Sequence, residues 1–146
     1  MNRGEEHVSD DYTIMRRADA PDFSGGDPVG PFLGYGRPMG AEQIAFNVRV
    51  LAPGATHRPP GESDSWGHRH NTIEEIYFVL AGEVRVRLNG AVETLGQYDA
   101  VRIPPGTVRA VRNETPDEAA FAMISVKVAD QKAESAPQPG FWTAGP

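Results

Sequence analysis

Cysteine is absent from this 146-residue chain, which removes disulfides, thiolate metal sites and thiol nucleophiles together. Any metal must then be held by histidine and carboxylate, and the composition fits a reducing compartment. Lysine is nearly missing as well, with Lys127 and Lys132 the only two among 14 basic residues. Twenty acidic residues outweigh those bases to give a formal charge of −6, which argues against a surface built to neutralise phosphates. No helix-turn-helix pattern flanks the central region, so no nucleic-acid partner is expected. No run approaches the roughly 20 apolar residues of a membrane-spanning helix, so no membrane partner is expected either. The stretch Met1 to His7 is polar and acidic with no apolar segment behind it, does not read as an export signal, and leaves a cytoplasmic location as the expectation.

Glycine and proline are plentiful instead, at 16 and 13 residues, and they cut the chain into short runs of the kind that form strands. Residues 1–11 lack periodicity, and residues 130–146 are polar and carry Pro137, Pro139 and Pro146. Both read as irregular arms around one all-β domain over residues 12–129. Phe141 and Trp142 leave docking of the C-terminal arm as open as plain disorder.

Within the domain, Ile44, Phe46, Val48 and Val50 alternate with Asn47 and Arg49, and the polar pair fits a cavity or solvent equally well. Glu83 to Leu88 alternates cleanly, placing Val84, Val86 and Leu88 inward and the charged residues in water, and Asn89-Gly90 follows as a hairpin turn. Ile76 to Leu80 is apolar on both faces, as in a strand covered on each side. Further strands are expected at Ala91–Leu95, Tyr98–Ile103, Val108–Val111 and Ala119–Val128, a spacing that indicates a sandwich or barrel.

The sharpest chemical signal lies in the run from Trp66 to Glu75. Residues i and i+2 of an extended chain project to one face, so His68 and His70 can present two imidazoles to one point. A carboxylate would complete a two-histidine, one-carboxylate face that leaves positions open on Fe(II), Mn(II), Zn(II) or Ni(II). Glu74 and Glu75 point to opposite sides, so only one can join, after a turn at Asn71-Thr72; spacing alone does not choose between them.

The run His68-x-His70-x4-Glu75-x6-Gly82 resembles the first motif of the cupin superfamily. The resemblance covers about residues 44–128, selects Glu75, and implies a small jelly-roll β-barrel with a divalent transition metal held by His68, His70 and Glu75. It also implies a small-molecule ligand and a homodimer. The second motif is similar to Tyr98-x5-Pro104-Pro105-Gly106-x2-Arg109-x3-Asn113, with two departures. Tyr98 stands where glycine is usual, and Arg109 stands where the third histidine ligand would be.

A guanidinium cannot coordinate a cation, and at about 5 Å and an effective dielectric near 20 it would repel a divalent ion by roughly 6–7 kcal/mol before relaxation. Arg109 therefore anchors an anionic substrate beside the metal, pairs with Glu75 in a metal-free pocket, or turns out to the surface; these three remain open. Tyr77 shares the strand face of Glu75 and, with Arg109, is a candidate catalytic residue. Phe121, Met123 and Ser125 share one face of the last strand, with core packing the expected role for most of them. His57, on the Pro-rich loop from Pro53 to Trp66, is expected to be solvated, with a replacement-ligand role as the alternative. His7 receives no role. The implied activities are dioxygenase, isomerase or lyase chemistry on a small oxygenated or anionic molecule, with a non-catalytic or metal-free ligand-binding barrel as the alternative.

Overall fold

The alternation in the sequence folds into strands close to where it is read. A computed structural model describes residues 7–8, 11–58 and 66–142. Two short strands, β1 (His7–Val8) and β2 (Thr13–Ile14), pair with each other, and most of the expected N-terminal arm lies outside the described residues. A single 3-10 turn at Arg17–Asp19 leads to β3 (Phe32–Gly34) and β4 (Ile44–Leu51). Then come β5 (Gly67–His70), β6 (Glu75–Ala81), β7 (Val84–Leu88) and β8 (Ala91–Leu95). The last are β9 (Ala100–Ile103), β10 (Arg109–Arg112), β11 (Ala119–Val126), a one-turn helix α1 (Gln131–Glu134) and β12 (Ser135–Gln138).

Ten of these strands form two five-stranded antiparallel sheets, ordered β12-β5-β10-β7-β8 and β3-β4-β11-β6-β9. They face each other as a jelly-roll barrel, the all-β class that the sequence indicated. Asn89-Gly90 makes the two-residue turn between β7 and β8, with Asn89 at φ 51°. Gly82 closes the β6–β7 turn at φ 70°, where a Cβ would lie 2.7 Å from the Glu118 carbonyl. Leu51, Val79, Val84, Val86, Val111 and Ala119 fill one end of the interior and are essentially inaccessible to water.

Three expectations are corrected, and the facing of β4, open from the sequence, is decided. On β4 the apolar face turns outward: Val48 joins Leu33 and Ala122 in a second cluster on the outside of the sheet, with Phe46 and Val50 packed against it, while Arg49 is buried inside. The outer face of β6 is not fully covered, since Ile76 is 41% and Leu80 36% exposed. Arg87, read as solvent-facing, is buried because the C-terminal segment folds over it. Its guanidinium lies 4.9 Å from the centre of the Phe141 ring and donates to the Trp142 carbonyl. That segment, irregular by its sequence, supplies α1 and β12, and β12 pairs along β5 from Ser135↔His70 to Gln138↔Gly67. Gly67 makes this closure possible, because a Cβ there would come within 2.7 Å of both the Phe141 ring and the Arg109 carbonyl.

Candidate metal centre

Strand β5 lies between β10 and β12, and its alternation sends Arg69 outward and His68 and His70 inward. The two imidazoles stand with ring centres 5.2 Å apart and nearly perpendicular. After the turn at Asn71-Thr72 the chain enters β6, where Glu74 faces solvent and accepts from Arg102 Nε at 2.7 Å. Glu75 then faces the interior and is 7% exposed. One ligand atom from each of His68, His70 and Glu75 lies within 4.8 Å of the other two. The expected trio is thus brought together.

Arg109 sits opposite His68 in the β10–β5 register and is wholly buried, so the surface reading of this residue is overturned. Its Nη1 donates to the Thr107 carbonyl, and its Nη2 stands 3.6 Å from Glu75 Oε1. The same oxygen is 3.3 Å from His70 Nε2. Neither approach meets hydrogen-bond geometry, so Oε1 is a buried acceptor without a hydrogen bond among the described residues, as are the donors Arg109 Nε and Nη2. An enclosed carboxylate oxygen without a hydrogen bond, on a side chain grouped with two imidazoles, is what a cation would satisfy, so the donor set fits a divalent ion.

The electrostatics follow from the crowding. Burial works to raise the Glu75 pKa, but the close approach of His70, then the positive Arg109 and the His68 imidazole, outweigh it and hold the carboxyl below its usual range. Burial chiefly, then the charges of His57 and Arg109, pushes His68 down to about 3. A neutral imidazole is the form that binds a cation. Tyr77 is buried with its hydroxyl unpartnered among the described residues, and burial together with the Glu75 charge keeps it a phenol, well above its usual range.

His57 is the largest departure from expectation. It is not solvated: its backbone N–H donates to the Val111 carbonyl, and next to it Thr56 bridges to Arg112, which pins the loop to the barrel. The ring stacks on Phe32 at 5.8 Å and meets Phe121 at 5.4 Å and His68 at 6.2 Å edge-on. Its Nδ1 is enclosed and without a partner among the described residues. Burial first, then the charges of Arg49 and Arg109, pushes His57 down to about 3. Nothing in a Pro-rich loop announced this placement; residues 59–65 of that loop lie outside the described residues.

A cavity of about 890 Å³ opens over the site. His57, His68, His70 and Glu75 line its floor, Phe32 and Trp66 its walls, and Arg37, Lys127 and Lys132 its mouth. Asn47, Met123 and Ser125 also reach it, whereas Arg49 does not: its guanidinium lies over Phe32 and donates to the Gly30 and Arg58 carbonyls. Arg109 and Tyr77 lie behind the trio and do not line the cavity.

The cupin domain pattern matches residues 54–126, half of the sequence and the whole stretch that carries the trio and Arg109. The chain belongs to the cupin family. Over 102 residues this cupin is 32% identical to a β-D-galactosidase of Mycobacterium tuberculosis, covering 69% of this chain and 78% of that one. Its fold is similar to that of a cupin protein from Bacteroides fragilis (TM-score 0.58, 20% identity, 81% of this chain and 91% of that one). It is likewise similar to a sugar phosphate isomerase of the cupin superfamily from Silicibacter pomeroyi (TM-score 0.61, 18% identity, 81% and 82%). At those identities the two structures speak to the fold alone. Among the described residues no helix is long and apolar enough to cross a membrane.

Proposed function

We propose that this cupin is a metal-dependent enzyme acting on a small hydroxylated molecule of the sugar class, one that carries negative charge. The observation that carries the reading is the grouping of Glu75, whose buried Oε1 has no hydrogen bond among the described residues, with two inward imidazoles at the floor of an open cavity. His68, His70 and Glu75 would hold Fe(II), Mn(II), Zn(II) or Ni(II), and such an ion, when bound, supplies Lewis-acid polarisation of a substrate oxygen or a site for oxygen.

The residues of this chain do the rest. Aromatic walls offer flat apolar faces to a sugar ring, and both lysines of an acidic protein stand at the mouth, where an anionic substituent would meet them. The relative named β-D-galactosidase supports the carbohydrate class. His57, a neutral imidazole on the cavity floor, adds a polar ring beside the trio. Arg109 and Tyr77, set behind the trio, act as positioning residues: the guanidinium keeps Glu75 ionised and the phenol remains a neutral donor. The reading retains the expected homodimer, to be checked by sedimentation.

One observation favours a second reading, a metal-free ligand-binding barrel: Arg109 Nη2 already stands 3.6 Å from the oxygen that a cation would take. Metal analysis of protein grown with Fe, Mn, Zn and Ni decides between the two. The enzyme reading expects near-stoichiometric metal, lost in a His68→Ala, His70→Ala variant, and chelator-sensitive turnover within a panel of aryl β-D-galactosides and aldose–ketose pairs. Metal-free protein that still binds a sugar acid would establish the binding barrel instead.

A further inference from the structure

The family match ends at residue 126, yet the chain beyond it turns back and ties itself to the strand that carries the histidines. Asp130 caps α1 by accepting from Ala133 N at 3.0 Å. Glu134 at the end of α1 then grips the Asn71-Thr72 turn. Its carboxylate accepts from the backbone N–H groups of Thr72 and Ile73 and from Thr72 Oγ1, and its carbonyl accepts from Asn71 N at 2.9 Å. The grip fixes the connection between the strand of His68 and His70 and the strand of Glu75. It also sets the register that puts Ser135 opposite His70, where Ser135 Oγ lies 3.2 Å from His70 Nδ1.

Both nitrogens of a buried imidazole therefore have neighbours, Ser135 Oγ at Nδ1 and Glu75 Oε1 at Nε2. A neutral ring carries one proton, and the position of that proton decides whether Nε2 offers a lone pair or an N–H. A backbone carbonyl at Nδ1 could only accept and would lock one tautomer. A hydroxyl rotates and can do either.

We propose that Ser135 is a positioning residue that fixes the His70 ring and serves it in both tautomers. With a cation at the site, Nδ1–H donates to Ser135 Oγ and the Nε2 lone pair faces the ion. Without one, the Ser135 hydroxyl donates to Nδ1 and Nε2–H faces Glu75 Oε1. Cation affinity thus depends on a residue outside the segment that the family shares. The inference rests on the reading of His68, His70 and Glu75 as a cation site.

The test uses the full chain with Ser135→Ala and Ser135→Thr, Zn(II) as the probe, and long-range proton–nitrogen spectra of the His70 ring in metal-free protein. Removal of the hydroxyl should weaken Zn(II) binding about 10- to 100-fold, the range found when a histidine ligand loses its outer partner, and threonine should restore it to within about threefold. The ring nitrogen shifts should differ between wild type and Ser135→Ala and coincide between wild type and Ser135→Thr. Wild-type affinity in Ser135→Ala, or a threonine variant as weak as alanine, overturns the proposal. If wild-type protein takes up no Zn(II), the cation reading fails on its own, and identical nitrogen spectra in wild type and Ser135→Ala would then sink the role of Ser135 as well.

Discussion

Along β6 the inward side chains run Glu75, Tyr77, Val79, and along β11 they run Ser125, Met123, Phe121, Ala119, so both strands pass from polar to apolar in the same direction through the barrel. One end is dry, filled by Leu51, Val79, Val84, Val86 and Val111. The other holds three histidines and Glu75 on an open cavity, with Arg109 behind them. The dry end closes the two sheets by removing apolar area from water, a strong and non-directional force. The open end places buried donors and acceptors without partners, an arrangement that costs stability and is tolerated because the dry end holds the strands in place. Stability and chemistry are divided along the same strands.

That division can be broken by experiment, beginning with the largest effect. Leu51→Ala opens a cavity at the dry end and should cost about 3 kcal/mol in urea unfolding, while cation affinity of the folded fraction stays within about threefold of wild type. An equal loss of both would mean that the ends are not separate. His68→Ala should do the reverse: Zn(II) binding falls at least about 100-fold, or about 2.7 kcal/mol, with the urea midpoint of metal-free protein nearly unchanged.

A smaller effect follows from His57, whose folded pKa of about 3 lies below the 6.5 of an unperturbed histidine. Between those values the unfolded chain binds the proton that the folded chain refuses, so stability rises with pH through that window and falls as pH drops below about 6.5. In metal-free protein His57 should account for about 1 kcal/mol lost between pH 7 and 5.5, removed in His57→Gln; an unchanged slope in that variant would place the titration elsewhere. The smallest effect concerns Tyr98, held at φ 70° and 70% exposed, where the family carries glycine. Tyr98→Gly should gain about 0.5 kcal/mol by relieving a left-handed non-glycine residue, read as a higher melting temperature.

Much of this was legible beforehand, and the exceptions have a common cause. The Asn89-Gly90 hairpin, the inward Val84 and Val86, and the opposite facing of Glu74 and Glu75 follow from the two-residue period and local turn chemistry. The sense of the β4 alternation did not, because a period says which residues share a face and not which face is covered; the packing of Ala20 and Tyr35 on the outer side settles that. Ser135–Gln138 contains proline and has no apolar alternation, so only the free edge of β5 makes it a strand. The Pro-rich loop marks His57 as solvated, with ligand replacement as the alternative, and does not locate the ring. Its burial depends on a loop pinned to β10, a contact between residues more than fifty positions apart.

The residues alone determined an all-β chain without thiol chemistry, two imidazoles on one side of a strand, and a carboxylate one turn later, since each of these is a matter of composition or of local spacing. Only the tertiary structure decided that Arg109 turns inward to Glu75, that His57 joins the floor, and that the C-terminal segment carries Ser135 to His70. Those are meetings of groups far apart in the chain, fixed by which strand edges pair and which faces are covered, and no local period encodes them.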